Sequence, residues 1–275
     1  MPQESLDGKI VNPAGRKSRG GARPTAQLGS AWVDEVRASV PDVDQLVAEG
    51  LAAIRAEGFN EELAKTEFGK WLVSAQKAVE KIHREREAEA LSRLVDLIIT
   101  GQAPPSEGEH VMAWARKLLG DAAPEFVAFE FRAGQTRKAR AGSVWEKLGD
   151  QFLRWNGIIC EKPTGKEDRR KLRQIDRVVP SVRVAIDTPD QAVRLSFKTE
   201  AREKWRVLVD ESRTGHVYLV TMGEDLTADK IPEMAISKIV VFVPTQIKES
   251  DPAFREAPNI RTLDDLPKNL RRYSS

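Results

Sequence analysis

Asp176, Ser196 and Lys198 are residue types that can act together on a phosphate ester, and Glu146 and Glu211 are carboxylates that could join them. Hydrolysing a phosphodiester requires an activated water, compensation of charge on the phosphorus oxygens and a stabilised leaving oxygen. A divalent cation held by carboxylates supplies most of this. Magnesium keeps several waters and needs only one or two protein carboxylates. A lysine beside it can orient the attacking water or help deprotonate it. Just after Lys198 comes the cluster Arg202-Glu203-Lys204 with Arg206, whose charges suit contact with nucleic acid. The same residues also describe a solvated strand edge and a salt-bridged helix turn, so their types alone leave both readings open.

The elements decide whether these side chains can meet. Val193, Leu195 and Phe197 alternate with Arg194, Ser196 and Lys198, the period of two of a half-buried strand. Residues 200–213 predict a helix with Trp205, Leu208 and Val209 on one face. Lys198 therefore stands where a strand ends and a helix begins, with Ser196 on the same face. Asp176 interrupts the apolar run Ile175–Pro180, where a buried aspartate needs a partner. Glu146 belongs to a helix over Ser143–Trp155, whose stripe is Trp145, Leu148, Phe152 and Trp155 and which Gly157 ends. It lies one step off that stripe, where it can face a cleft or simply water. Glu211 falls on the helix after Lys198.

Further strands are expected at Ile158-Ile159-Cys160, Val182–Ile186, His216–Thr221 and, most clearly, Ile239–Val243. Asp187-Thr188-Pro189-Asp190 reads as a turn. Ala228–Ala235 reads as a weak helix interrupted by Pro232, and Leu263, Leu266 and Leu270 as a last short one. Strands alternating with helices make residues 126–275 an α/β unit with a mixed sheet. Residues 30–125 read as a helical accessory domain, used for dimerisation or to embrace a ligand. In it Pro41 stands near a helix start, Asn60 can cap the next helix, and His83–Glu89 is a charge run with a solvated face. Pro104-Pro105-Ser106 is a loop. Residues 1–29, with the basic stretch Gly15–Gly21, read as a disordered tail. His216, Cys160, Trp71 and Trp114 read as structural.

The whole chain restricts the classes. Of its 275 residues, 40% are apolar and 31% charged, which suits a soluble globular protein. The net charge is only +2, so a nucleic-acid surface must be local. One cysteine excludes an internal disulfide and fits a cytoplasmic setting. No apolar run approaches a membrane span, and the N-terminus has no apolar signal core, so neither membrane insertion nor secretion is expected.

Three segments, in order, resemble the PD-(D/E)xK nuclease core, and more narrowly the type II restriction endonucleases that cut CCGG-containing sites and the related catalytic domain of EcoRII. Arg137-Lys138-Ala139-Arg140-Ala141-Gly142-Ser143-Val144-Trp145-Glu146 resembles a basic-Ala-Gly-x-x-x-Glu segment of that domain. Gln174–Pro180, with Asp176, is similar to its aspartate-bearing strand. Lys198-Thr199 through Lys204-Trp205-Arg206 resembles its Lys-Thr segment and the basic-acidic-basic-Trp-Arg cluster beyond. The Ser196-x-Lys198 form, with Glu211 about 13 residues beyond the lysine, resembles the CCGG cutters. The likeness covers residues 130–245.

It implies a magnesium-dependent endonuclease acting on double-stranded DNA in a prokaryotic cytoplasm. The metal would be held by Asp176, Glu146 and the backbone of Phe197, with Lys198 beside the attacking water. Arg137, Lys138 and Arg140 would contact DNA, and Arg202, Glu203, Lys204 and Arg206 would enter the major groove. There a basic side chain can donate to guanine and an acidic one can accept from cytosine. A palindromic site would imply a homodimer or higher homo-oligomer. Two departures matter. Ile175 stands where the family has proline, while a literal Pro189-Asp190 lies in the turn before Lys198. Ser196 stands where an acid is usual, so Glu146 or Glu211 must supply the second carboxylate. A repair or junction-resolving nuclease with the same core, and a non-enzymatic DNA-binding regulator, are the competing expectations.

Overall fold

The computed structural model describes residue 34 and residues 38–100, 111–201 and 204–274. Its centre is one five-stranded sheet in the order β1 (Arg177–Val179), β2 (Val193–Lys198), β3 (His216–Thr221), β4 (Ile239–Val243) and β5 (Ile260–Thr262). β1 runs antiparallel to β2, and every other neighbouring pair is parallel. The sheet is therefore mixed, as the sequence predicts. Parallel strands are covered on both faces by their crossovers and so read as continuous apolar runs, which is why β3 and β4 stand out in the sequence. β2 alternates, yet its first five residues are all buried. Arg194 and Ser196 are covered by polar partners rather than by water.

The alternation sorts the faces. Val193, Leu195 and Phe197 pack with Val220 and Phe242 against the long helices. Val217, Leu219, Val241 and Val243 face the other way, onto Ala185, Leu208 and Met234.

Before the sheet run α1 (Val43–Ala56), α2 (Glu61–Thr66), α3 (Phe68–Thr100) and α4 (Val111–Trp155). The Asp42 carboxylate caps α1, and Asn60 caps α2 as expected, accepting the N–H groups of Glu62 and Leu63. α4 departs most from expectation. The helix expected to begin at Ser143 is the last part of one helix of 45 residues. Pro124 lies inside it, where proline costs about 3 kcal/mol. The helix continues because Ala122, Phe129 and Ala133 bury themselves against Ala90, Leu94 and Ile98 of α3; tertiary packing outweighs local propensity. The boundary expected between residues 125 and 126 falls inside α4. Trp145, Leu148 and Phe152 share one core with Leu46, Phe68 and Leu72.

Smaller corrections follow. Ile158-Ile159-Cys160 forms no strand; after Gly157, at φ +74°, the chain makes only an isolated bridge from Glu161 to Val178. The charged stretch beyond forms α5 (Lys166–Lys171). Val182–Asp187 is a helix, α6, because the Ser181 hydroxyl caps it on Val184. The expected helix over 200–213 is a 3-10 turn at Lys204–Leu208 leading into α7 (Val209–Ser212). Pro232 does not interrupt α8 (Ile231–Ile236) but sits in its first turn, where proline is tolerated. α9 (Thr245–Ser250) and α10 (Pro252–Glu256) connect β4 to β5, and α11 (Leu266–Leu270) ends the core with Leu263, Leu266 and Leu270 fully buried. The tail at 1–29 and the loop Pro104-Pro105-Ser106 lie outside the described residues. Among the described residues, no helix is long and apolar enough to cross a membrane.

Candidate active site

The antiparallel register sets Arg177 opposite Leu195. Asp176, one residue before β1, donates its backbone N–H to the Leu195 carbonyl at 2.9 Å. Its side chain then lies over β2. Oδ2 of Asp176 accepts from Lys198 Nζ at 2.7 Å, from the Phe197 backbone N–H at 2.7 Å and from the Ser196 hydroxyl at 3.4 Å. Ser196 also stands 3.2 Å from the Gln174 carbonyl, so its one proton serves either oxygen. The structure thus brings Asp176, Ser196, Phe197 and Lys198 together. Asp190 is exposed in a 3-10 turn before the opposite end of β2.

Glu211 adjoins this group on the same face. It accepts the Arg173 backbone N–H at 2.9 Å and lies 3.5 Å from Arg194, two residues before Ser196. Burial pushes its carboxyl above the ordinary 4.5, opposed by Arg194 and by the N–H groups of Gln174 and Arg173. Arg194 also donates to the carbonyls of Glu211 and Ala185 and to the Thr214 hydroxyl. Glu211 therefore braces the segment that leads into Asp176.

Glu146 approaches from α4 on the other face. It lies 3.4 Å from both Lys162 and Arg177. Arg177 is buried, reaches Asp150 at 3.4 Å and donates to the Asp176 carbonyl at 2.7 Å. Neither Arg177 nor Asp150 was expected at the site. The signal was the position next to Asp176: successive strand residues face opposite ways, so a charge there must meet α4.

A cleft of about 520 Å³ opens beside Lys198, between α3 and α4. Arg137, Lys138, Arg140 and Glu146 line it with Phe197 and Lys198, so the basic residues of α4 share a space with the lysine. Of the expected recognition cluster, Arg202, Glu203 and the side chain of Lys204 lie outside the described residues. Arg206 is exposed, with its guanidinium 5.8 Å from the centre of the Trp205 ring. Ala201, just before the cluster, is held by the Asp225 carboxylate at 2.7 Å. Burial, with Asp150 nearby, pushes the Cys160 thiol up to about 12.

Against known proteins, the EcoRII C-terminal family matches residues 106–266. No curated protein sequence matches the chain. Solved structures similar in fold include the following two. One is metal-depleted Ecl18kI in complex with uncleaved DNA, with a TM-score of 0.75 at 16% identity over 92% of this chain and 85% of that one. The other is restriction endonuclease PspGI with substrate DNA, with a TM-score of 0.62 at 18% identity over 85% of this chain and 93% of that one. The family match spans more than half of the chain and contains Glu146, Asp176, Ser196, Lys198 and Glu211. With the nuclease-like grouping of Asp176 and Lys198 beside a basic cleft, this places the chain in the EcoRII C-terminal family of restriction endonucleases, as a site-specific nuclease.

Proposed function

We propose that the protein cuts both strands of DNA, with magnesium, at a palindromic site with a CCGG core, as a homodimer in a prokaryotic cytoplasm. The supporting observation is the 2.7 Å pairing of Asp176 with Lys198, which lines a cleft together with Arg137, Lys138 and Arg140. Chain length, the Ser196-x-Lys198 form and the position of Glu211 resemble the enzyme BsaWI among the CCGG cutters, and W/CCGGW is the site we propose.

The donors present suit magnesium. They are hard oxygens, and all three hydrogen bonds described for the Asp176 carboxylate fall on Oδ2, none on Oδ1. The Phe197 N–H points at Asp176, and a strand residue's carbonyl leaves on the same edge as its N–H. Among the described residues no three His, Cys, Asp or Glu side chains form a cage. Magnesium does not require one. Asp176 and the Phe197 carbonyl would hold it, with Glu146 as second carboxylate, and when bound it would supply Lewis-acid charge compensation at the scissile phosphate.

The chain's own groups do the rest. Arg137, Lys138 and Arg140 neutralise backbone phosphates. Lys198 hydrogen-bonds the attacking water and orients it, while Ser196 and the Phe197 N–H fix the carboxylate beside it. Arg202, Glu203 and Lys204 read guanine and cytosine edges.

Digestion of a DNA of known sequence in magnesium, with the ends mapped to the base, tests the reading. Discrete ends within CCGG-containing sites are expected. Smears or junction-only cutting would favour a repair or junction nuclease, and binding without cleavage would favour a regulator. Binding in calcium then tests recognition. Arg202→Ala and Glu203→Ala should lose discrimination between matched and single-mismatch duplexes by about 1–3 kcal/mol. Equal weakening on both duplexes would make the cluster a backbone clamp.

A further inference from the structure

The charge run His83–Glu89 does not form a uniformly solvated face. Arg84, Glu85 and Glu89 are exposed, but His83 and Glu87, one helical turn apart, are only 5% and 9% exposed, packed against α4. Glu87 Oε2 accepts from Arg137 Nε at 2.9 Å, and Oε1 lies 3.6 Å from His83 Nδ1. The Arg137 side chain is itself 45% exposed and lines the cleft with Lys198. An exposed second acid, Glu130, lies 3.8 Å from an Arg137 terminal nitrogen.

Holding α3 to α4 does not explain a buried glutamate. Desolvating a carboxylate is costly, and an apolar replacement of similar volume is often as stable or more so. Ala90, Leu94 and Ile98 already make that helix contact with apolar side chains. What the ion pair adds is direction. By taking Nε, Glu87 fixes the plane of the guanidinium, and a ligand at its terminal nitrogens would have the exposed Glu130, 3.8 Å from one of them, to displace. A planar fork of N–H donors matches a phosphate in two parallel bonds. His83 does not compete for Glu87. Among the described residues neither of its ring nitrogens makes a hydrogen bond, and burial lowers its pKa below the ordinary 6.5.

We infer that Glu87 is a positioning residue, which from α3 aims Arg137 of α4 at a phosphate of DNA lying in the cleft. This rests on the nuclease reading above.

The test is a double-mutant cycle on duplex binding in calcium, measured across a salt series, with thermal melting of each variant. Arg137→Ala should weaken binding roughly tenfold, as loss of one charge-assisted hydrogen bond does, and lower the salt slope by about one contact. Glu87→Ala should give much of the same loss and the same change in slope. In the Arg137→Ala background it should have no further effect on binding. Glu87→Gln, nearly isosteric, should fall between wild type and Glu87→Ala, and it carries the cycle if Glu87→Ala does not fold. Additive losses, an unchanged slope in the Glu87 variants, or wild-type binding by Arg137→Ala would overturn the inference while leaving the nuclease reading intact. A wild-type protein that neither binds nor cuts DNA would defeat that reading, and this inference with it.

Discussion

Asp176 collects three donors on one carboxylate oxygen, so its removal should be felt in chemistry before it is felt in folding. We predict that Asp176→Ala and Lys198→Ala lower plasmid cleavage by at least about a hundredfold, with melting temperatures near wild type. Both should still bind duplex in calcium, Asp176→Ala at least as tightly, since a negative charge near phosphate is gone. Wild-type cleavage by folded Asp176→Ala would return attention to Asp190. The two glutamates should separate differently. Glu146 lines the cleft, whereas Glu211 is buried on Arg194 and a backbone N–H. Glu146→Ala should lose cleavage and melt normally. Glu211→Ala should cost about 3–5 kcal/mol, because it strands a buried arginine. A stable but inactive Glu211→Ala protein, beside an active Glu146→Ala, would reverse the two roles. His83 gives a pH signature. Burial lowers its pKa below the ordinary 6.5, so the folded state binds the proton less readily than the unfolded chain. Its contribution to stability is complete above pH 6.5 and is lost as pH falls from there through the lowered folded value. His83→Gln should flatten that part of the stability–pH curve in chemical denaturation. Lys198 and Ser196 were legible because strand alternation fixes their face from neighbours alone. Glu87 was not, since what buries it is Arg137 on another helix.

Among the elements, strands were legible where burial on both faces makes the sequence continuously apolar, as in β3 and β4. Val182–Asp187 misled because its alternation is too short to separate a strand from one helical turn, and the Ser181 cap decides between them. α4 misled because the burial of Ala122, Phe129, Ala133, Val144 and Trp145 carries the helix through Pro124 and Gly142. The same packing makes α4 sensitive where it crosses β2. A Cβ at Gly149 would come closer than 3.0 Å to three carbons of the Phe197 ring. Phe197 lies between Ser196 and Lys198 and donates its N–H to Asp176. Gly149→Ala should therefore cost about 1–3 kcal/mol through overpacking and should also lower the cleavage rate, because the strand that holds the lysine must move. Loss of stability with an unchanged rate constant at a temperature well below melting would show that Phe197 yields without moving its backbone.

At the scale of the molecule, the question is whether the helical region is an accessory or part of the nuclease. The family match begins at residue 106, just before α4, and so omits α1, α2 and α3. The structural likeness to Ecl18kI covers 92% of the chain, which must include most of them. Packing favours the wider unit. Trp145, Leu148, Phe152, Leu263 and Leu266 are buried in one cluster with Leu46, Ile54, Phe68 and Leu72. Asn156 also donates its side-chain amide to the Ala64 carbonyl at 2.9 Å, so both polar and apolar ties cross the division. A fragment of residues 126–275 would keep the sheet, Asp176 and Lys198 but would uncover the apolar face of α4. Each large side chain returned to water costs about 1.5–3 kcal/mol, and a domain has only about 5–15 kcal/mol to lose. Uncovering five such residues costs about 7–15 kcal/mol, as much as the whole of that margin. The fragment should therefore show no cooperative melting transition, should bind a hydrophobic dye and should not cleave DNA, whereas a chain beginning at residue 38 should melt cooperatively. Cooperative melting and site-specific cleavage by residues 126–275 alone would restore the division the sequence suggests and reduce α1, α2 and α3 to an attachment.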